Sequence, residues 1–177
     1  MLNMEEQVDI RKWTQSDAGE LAKIANNIKI FNHLRDVFPH PYHLEDAKEW
    51  ISNSNKDTMM VSRAIAVNGI VAGAIGVHFF KDVMQKNAEI GFWLGEQYWG
   101  KGICTKALKK MTAYTFKHYP VHRIFAEVFS NNPASARVLE KCGYKKEALL
   151  QEAIYKNGAY VDCMIYALLR GNYSVNS

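Results

Sequence analysis

Cysteine is scarce in this sequence. Its 177 residues hold three, Cys104, Cys142 and Cys163, an odd number with no C-x-x-C spacing. That excludes a disulfide framework and a zinc knuckle and fits reduced, intracellular thiols. Long apolar runs are also missing. The longest, Ile70 to Phe80, is broken by two glycines and a histidine and is too short to span a bilayer. The start, Met-Leu-Asn-Met-Glu-Glu, is acidic and polar, unlike a secretory leader, so the expectation is a cytoplasmic protein that does not enter a membrane. No repeat, low-complexity tract or long linker divides the chain. The excess of one charge is small: 22 Lys plus Arg against 18 Asp plus Glu, 22 − 18 = +4. This is too mild to mark a nucleic-acid binder, although it allows an anionic ligand at a local patch. With 48% hydrophobic and 23% charged residues, neither disorder nor coiled coil describes the whole chain. The length predicts one domain over 1–177, with a core over roughly 8–170, able to stabilise itself without metals or disulfides.

The pattern of what is present predicts strands and helices in mixed order. Val8 to Trp13 alternates like a strand, and Ser16 or Asp17 is placed to cap a helix running to about Asn27. A short helix is expected around Lys29 to Arg35. Two prolines in Phe38-Pro39-His40-Pro41-Tyr42 enforce a loop. Leu44 to Ser52 reads as a helix with Ala47, Trp50 and Ile51 on one side. Val61 to Val67 and Ile70 to Phe80 flank Asn68-Gly69, the turn pair that accepts positive φ twice, and so predict a hairpin. Ala88 to Leu94 and Arg123 to Phe129 read as strands. Ile103 to His118 reads as a helix with Cys104, Ala107, Leu108, Met111, Tyr114 and Thr115 on one face. Ala134 to Lys141 is a short helix opened by Asn132-Pro133. Gly143 to Tyr155 and Tyr160 to Leu169 form a closing strand pair around Asn157-Gly158. The fold class is α+β, with one mixed, mostly antiparallel central sheet flanked by helices.

Chemistry concentrates between Glu89 and Lys110. The strand Glu89-Ile90-Gly91-Phe92-Trp93-Leu94 runs into Gly95-Glu96-Gln97-Tyr98-Trp99-Gly100-Lys101-Gly102, and a long helix follows at once. Strand, glycine-rich turn and helix together make a phosphate site. Glycines let backbone N–H groups turn to the ligand, and the helix N-terminus adds partial positive charge. Gly95 to Lys101 also matches the first seven positions of a P-loop, but Gly102 stands where Ser or Thr must hold magnesium, which demotes a nucleotide triphosphatase. Five lysines, Lys101, Lys106, Lys109, Lys110 and Lys117, and no acid lie between Lys101 and Lys117. Such a helix suits a phosphorylated ligand, although Lys109 and Lys117 are read as a solvated outer face.

Gln97-x-x-Gly100-x-Gly102 resembles the pyrophosphate-binding signature of the GNAT N-acetyltransferases, (Gln or Arg)-x-x-Gly-x-(Gly or Ala), which in that family joins a central strand to a helix. Asn132-Pro133-Ala134-Ser135 followed by Lys141-Cys142-Gly143-Tyr144 is similar to a second segment of the family. Phe38 to Tyr42 with Glu45-Asp46-Ala47 and Trp50-Ile51, and Tyr160-Val161-Asp162 ending in Tyr166 to Arg170, resemble the RimJ/RimL-type subgroup, which acetylates protein N-terminal amines. Nearly the whole chain is covered. The resemblance implies a single-domain GNAT fold and transfer of an acetyl group from acetyl-CoA to a primary amine by direct attack, with no metal. It implies cofactor contacts from Phe92, Trp93 and Leu94, from Gln97, Tyr98, Trp99, Gly100, Lys101 and Gly102, from Ile103, Cys104 and Thr105, and from Asn132, Ser135 and Arg137.

Direct transfer needs a neutral amine, a donor for the developing oxyanion and a proton for the departing thiolate. The resemblance assigns the oxyanion to backbone N–H near Trp93 and Leu94. Alternation places Glu89, Gly91 and Trp93 on one face of the strand. A carboxylate in that apolar strand is costly unless paired or functional, so Glu89 is the candidate base or substrate-positioning group. Pairing with a nearby Arg, or reaching water at a sheet edge, is the plainer alternative. The tyrosine that many members carry three residues before the Gly-Phe pair is Glu140 here, so Ser135 is the candidate proton donor, beside simple protonation by water. Ser135 and Asn132 also suit the ordinary duties of a helix start. His40 and Tyr42 lie in the loop expected over the acceptor. His40 and His43 have no partner set for a metal, and Cys104 would act through its backbone rather than its thiol. The acceptor would be a protein N-terminus or a small-molecule amine such as an aminoglycoside, polyamine or amino acid. A CoA-binding sensor without catalysis is the alternative of another class. A homodimer is compatible with the family and demanded by no residue.

Overall fold

The computed structural model describes residues 6–174; the acidic start and the last three residues of the expected 1–177 domain lie outside the described residues. Seven strands, β1 (Val8–Arg11), β2 (Met60–Val67), β3 (Ile70–Phe79), β4 (Asn87–Leu94), β5 (Arg123–Phe129), β6 (Lys145–Lys156) and β7 (Ala159–Leu169), form one sheet in the order β1-β2-β3-β4-β5-β7-β6. All neighbours are antiparallel except β4 and β5. The helices are α1 (Ala18–Ala25), α2 (Ile28–Phe31), α3 (Leu44–Ser54), α4 (Ile103–His118) and α5 (Pro133–Lys141).

The sheet separates two cores. On one face α4 and α5 pack over Ile75, Val77, Ile90, Leu94, Ile124, Ala126 and Val128. Ile103, Ala107, Leu108 and Met111 are at most 1% exposed, and truncating such a Leu or Met to Ala costs about 2–5 kcal/mol. On the other face α1 and α3 cover Ala64, Val71 and Ala74 with Leu21, Ile24, Ala47 and Ile51. This second core reaches only part of the sheet. The face around Glu89, Phe125 and Glu127 lies beyond it.

Where local chemistry alone sets an element, expectation and structure agree. The hairpin turns at Asn68 (φ 50°) and Gly69 (φ 85°), both in the left-handed region. α4 and β5 have the expected bounds. Elsewhere long-range partners intervene. β1 stops at Arg11 and a 3-10 turn (Gln15–Asp17) follows; Asp17 holds the expected N-cap position of α1, but its carboxylate turns back to the chain before it and accepts no N–H of the helix. The Asp17 carboxylate accepts from the Thr14 N–H (2.8 Å) and from both Arg11 Nη atoms (2.8 Å each). Trp50 does not join Ala47 and Ile51: those two are fully buried, while Trp50 is 37% exposed. On α4 the buried stripe is completed by Thr112 and Phe116, with Cys104 and Tyr114 at its margin. No helix among the described residues is long and apolar enough to cross a membrane.

Candidate active site

The site begins with a break in pairing. β4 is antiparallel to β3 along Ala88 to Leu94, but it is parallel to β5 only at Asn87, Ala88 and Glu89, opposite Arg123, Ile124 and Phe125. Beyond Glu89 the two central strands diverge. Which β4 groups face the gap follows from strand alternation. The Gly95 N–H donates to the Ala72 carbonyl of the β3 side (2.8 Å). A Cβ on Gly73 would lie 2.1 Å from the Trp93 carbonyl oxygen, so the Trp93 carbonyl also turns to β3. The backbone groups of Phe92 and Leu94 therefore turn the other way, to the opening. Of the expected donors near Trp93 and Leu94, Leu94 is the one the opening can use. The Leu94 carbonyl is already engaged by the Trp99 indole N–H (2.9 Å), which explains that tryptophan without any ligand.

Past Leu94 the chain makes a 3-10 turn, Glu96–Tyr98, and reaches α4 through Gly100 (φ 75°) and Gly102 (φ 74°). A Cβ at either glycine would meet nothing within 4 Å. It is the left-handed backbone, not crowding, that calls for glycine there. Gly102 is the N-cap of α4, and no side chain caps the helix start. The N–H groups of Ile103, Cys104 and Thr105 thus form a ready anion site. Gln97 is exposed, and the Lys101 ammonium lies 6.0 Å from the Tyr98 ring. The residues at this turn fit a pyrophosphate: open space above two glycines, an uncapped helix start and a nearby ammonium. Burial pushes the Cys104 thiol up to about 12 and the Cys142 thiol up to about 11, so neither is a thiolate nucleophile. On the far side of the gap, the Asn132 Oδ1 accepts from the Ser135 N–H (3.2 Å), capping α5. Ser135 is half-buried and Arg137 exposed. Glu140 accepts from the Tyr166 hydroxyl (2.9 Å).

The side of the opening where the acceptor is expected is built from side chains. Glu89 lies on the uncovered face, and its neighbour in register on β5 is Phe125. Glu127, two residues further along β5, shares that face. Arg35, in the turn after α2, joins them: one Nη2 donates to Glu89 Oε1 (2.6 Å) and to Glu127 Oε2 (2.9 Å). The pairing of Glu89 with an Arg, the plainer alternative to a functional role, is present, yet it does not return the carboxyl to the ordinary range. Burial pushes the Glu89 carboxyl above the usual range, Glu127 adds to this, and Arg35 and His78 offset it only in part. A half-buried carboxylate with a raised pKa is suited to proton transfer.

Arg35 and Glu127 were not foreseen. Arg35 lies 54 and 92 residues from its two partners, so no spacing could connect them. Glu127 did carry a signal, since it is the one carboxylate in the apolar strand Arg-Ile-Phe-Ala-Glu-Val-Phe, the same anomaly that marks Glu89. The segment bearing Arg35 is tied at both ends. Asn27 and Lys29 at the start of α2 hold Glu96 of the phosphate turn, Asn27 at 2.8 Å. Beyond α2, Asp36 pairs with the buried Lys156 and the Asn32 Oδ1 accepts from Asn157 (2.8 Å), both at the β6–β7 turn. Of the other acceptor candidates, His40 stacks on Phe31 (5.4 Å between ring centres) and is exposed. Tyr42 is buried in the smaller core against Phe38, its phenol pushed up to about 12 by burial. No group of His, Cys, Asp and Glu among the described residues would hold a metal ion.

The family pattern of the acetyltransferase (GNAT) domain matches residues 7–145. The ribosomal-protein-serine acetyltransferase of Escherichia coli (strain K12) is 34% identical over 95 residues, 52% of this chain and 53% of that protein. The spermidine N(1)-acetyltransferase of Vibrio cholerae serotype O1 is 24% identical over 172 residues, 96% of this chain and 97% of that protein. Two curated Bacillus subtilis relatives are matched over 60% and 55% of their own length. Among solved structures, RimL, a ribosomal L7/L12 alpha-N-protein acetyltransferase in complex with coenzyme A, superposes with a TM-score of 0.82 at 21% identity, over 92% of this chain and 93% of that one.

Proposed function

The chain belongs to the GNAT acetyltransferase family, and we propose that it transfers the acetyl group of acetyl-CoA to the α-amine of a protein N-terminus. The observation that carries this is the opening of β4 from β5 beyond Glu89, with an uncapped glycine turn at one end and a carboxylate pair on its floor. Acetyl-CoA supplies an acyl group activated as a thioester. The N–H groups of Gly102 to Thr105 take its pyrophosphate, with Lys101 beside them. The Phe92 and Leu94 backbone holds the amide-bearing arm, and the Leu94 N–H donates to the carbonyl oxygen as negative charge develops there. Glu89 accepts one proton of the ammonium, so that the nitrogen lone pair forms the C–N bond as the C–S bond breaks, and the nitrogen sheds its second proton to the Ser135 oxygen or to water as it becomes an amide. The thiolate takes a proton from the Ser135 hydroxyl or from water. Asn132 and Arg137 flank that arm from the α5 side.

The relative named as a ribosomal-protein-serine acetyltransferase supports a protein as acceptor. A second reading, a polyamine acceptor, is favoured by the Glu89–Glu127 pair, which suits a cation, and by the end-to-end match with the spermidine enzyme. Release of free thiol from acetyl-CoA, followed with a seryl-headed hexapeptide amide, with spermidine and with no amine, tests the reading. Peptide-dependent release with acetylation at the α-amine is expected. Release with spermidine alone selects the second reading. No thiol release with these or with a panel of aminoglycosides and amino acids, together with tight CoA binding, would mark a sensor instead.

A further inference from the structure

Two carboxylates on the floor of an amine site would be expected to collect cations. The third group of this site changes that expectation. Arg35 spends a single nitrogen, Nη2, on both Glu89 and Glu127. Its Nη1 and Nε have no partner among the described residues, and its side chain is 61% exposed. The local charge of the trio is −1, matched to one ammonium rather than to several. A guanidinium with donors to spare is also a fork for oxygen acceptors. Its place is held from both sides, because the segment that bears it is tied to the phosphate turn through Asn27 and Glu96 and to the β6–β7 turn through Asp36 and Lys156. Arg35 is thus a fixed positive charge in the acceptor site and not a passing surface contact.

We propose that Arg35 is the specificity-determining residue of the acceptor site, admitting a peptide α-amine and turning away polyamines. The proposal rests on the acetyl-transfer reading above. The ammonium of a peptide goes to Glu89, while its first carbonyl oxygens accept from the Nη1 and Nε of Arg35. A polyamine presents no oxygen to that fork, and its second ammonium meets the guanidinium, a like-charge encounter that disfavours binding.

The test compares kcat/KM for the hexapeptide and for spermidine in the wild type, Arg35→Gln and Arg35→Lys, with binding of each amine to the CoA-loaded protein by calorimetry. Arg35→Gln leaves a bare carboxylate pair. It is expected to lower the peptide value roughly tenfold or more and to raise the spermidine value by a similar factor, inverting the preference. Arg35→Lys keeps the charge and loses the fork, so it should still exclude spermidine without restoring the peptide. A ratio that does not change in Arg35→Gln, or a uniform loss on both amines, overturns the proposal. If the wild type acetylates neither amine, acetyl transfer to these acceptors fails, while the binding preference still decides the role of Arg35: a preference that survives Arg35→Gln sinks it.

Discussion

The two sides of the β4–β5 opening are built from different materials. The proposed cofactor side is mainly backbone: two left-handed glycines, an uncapped helix start and the strand edge of Phe92 and Leu94, all within Phe92 to Thr105, with Lys101 and the α5 side chains at its margin. The acceptor side is side chain: Glu89, Glu127 and Arg35, drawn from three elements and joined through one nitrogen. The difference matters for function. Backbone groups hold a ligand whatever residue types surround them, so that half can stay the same while the acceptor changes. A side-chain trio is altered by one substitution. The cofactor side should therefore break when the chain conformation is disturbed, and the acceptor side when a charge is removed.

The largest effect should come from the acceptor side. Glu89→Gln keeps the shape and removes the proposed base, and kcat is expected to fall about 10²–10⁴-fold, with acetyl-CoA affinity unchanged by calorimetry. The pH dependence supplies the sign. Only the ionised carboxylate accepts the proton, and burial raises its pKa. The wild-type rate should climb with pH through a limb above the value of about 4.3 usual for glutamate, and the variant should lose that limb. Wild-type kcat in Glu89→Gln would remove the base from the mechanism.

Next in size is a change that adds no charge and meets no neighbour. Gly102 has φ 74° and open space where a Cβ would sit. A β-branched residue is strained there by about 1–3 kcal/mol, so Gly102→Val should weaken acetyl-CoA binding roughly ten- to hundredfold. Gly102→Asn, which tolerates the left-handed region, should lose much less. Equal losses in the two variants would show that the turn binds through space and not through conformation.

The same contrast explains what could be read from residues alone. Most of the proposed cofactor half lies on one stretch of chain, where Gly100 and Gly102 declare their geometry through the left-handed backbone that they adopt. The hairpin at Asn68-Gly69 and the helix Ile103–His118 were legible for the same reason: turn chemistry and a 3.6-residue period act locally. On the proposed acceptor half, Glu89 stood out by its misfit in an apolar strand, whereas Tyr42, also expected there, is buried in the smaller core. Arg35 could not be found, because a contact across 92 residues leaves no periodic trace. Trp50 misled for a related reason. Helical spacing puts it near Ile51, and only the packing of α3 on β2 and α1 decides that Ala47 and Ile51 face inward.

A third perturbation lies away from the opening, in the closed half of the sheet, and should cost stability without touching turnover. Asp17 is 8% exposed at its side chain and receives Arg11 and Thr14. Burial pushes its carboxyl up, but these hydrogen bonds more than offset that and hold it below the usual range. A carboxyl with a lowered folded-state pKa gives stability above its unfolded value, about 3.9, and loses it as pH falls through the folded value. Asp17→Asn should therefore cost about 1–3 kcal/mol at neutral pH and less near pH 3, read from denaturant midpoints, with kcat/KM unchanged while the protein is folded. A loss that persists undiminished at low pH would mean the amide fails by shape and not by charge.

The smallest effect is the most informative about the cofactor side. Five lysines without an acid on and just before α4 look like an electrostatic platform for phosphates, yet the structure spends part of that charge elsewhere. Lys110 pairs with Asp9 at 3.1 Å, and Lys101 approaches Glu6 at 3.9 Å. The Lys110–Asp9 pair is about half exposed on both sides, and such pairs are worth about 0–1 kcal/mol. Lys110→Ala should move stability by less than about 0.5 kcal/mol and leave acetyl-CoA affinity within about twofold, measured by calorimetry at low and physiological salt. Position makes the argument. α4 rises about 1.5 Å per residue, so Lys110 stands roughly 10 Å along the helix from the N–H groups of Ile103 to Thr105, about one screening length in physiological salt. A tenfold loss of affinity in Lys110→Ala would mean that the whole charged face of α4 holds the cofactor, and the division into a backbone side and a side-chain side would no longer stand.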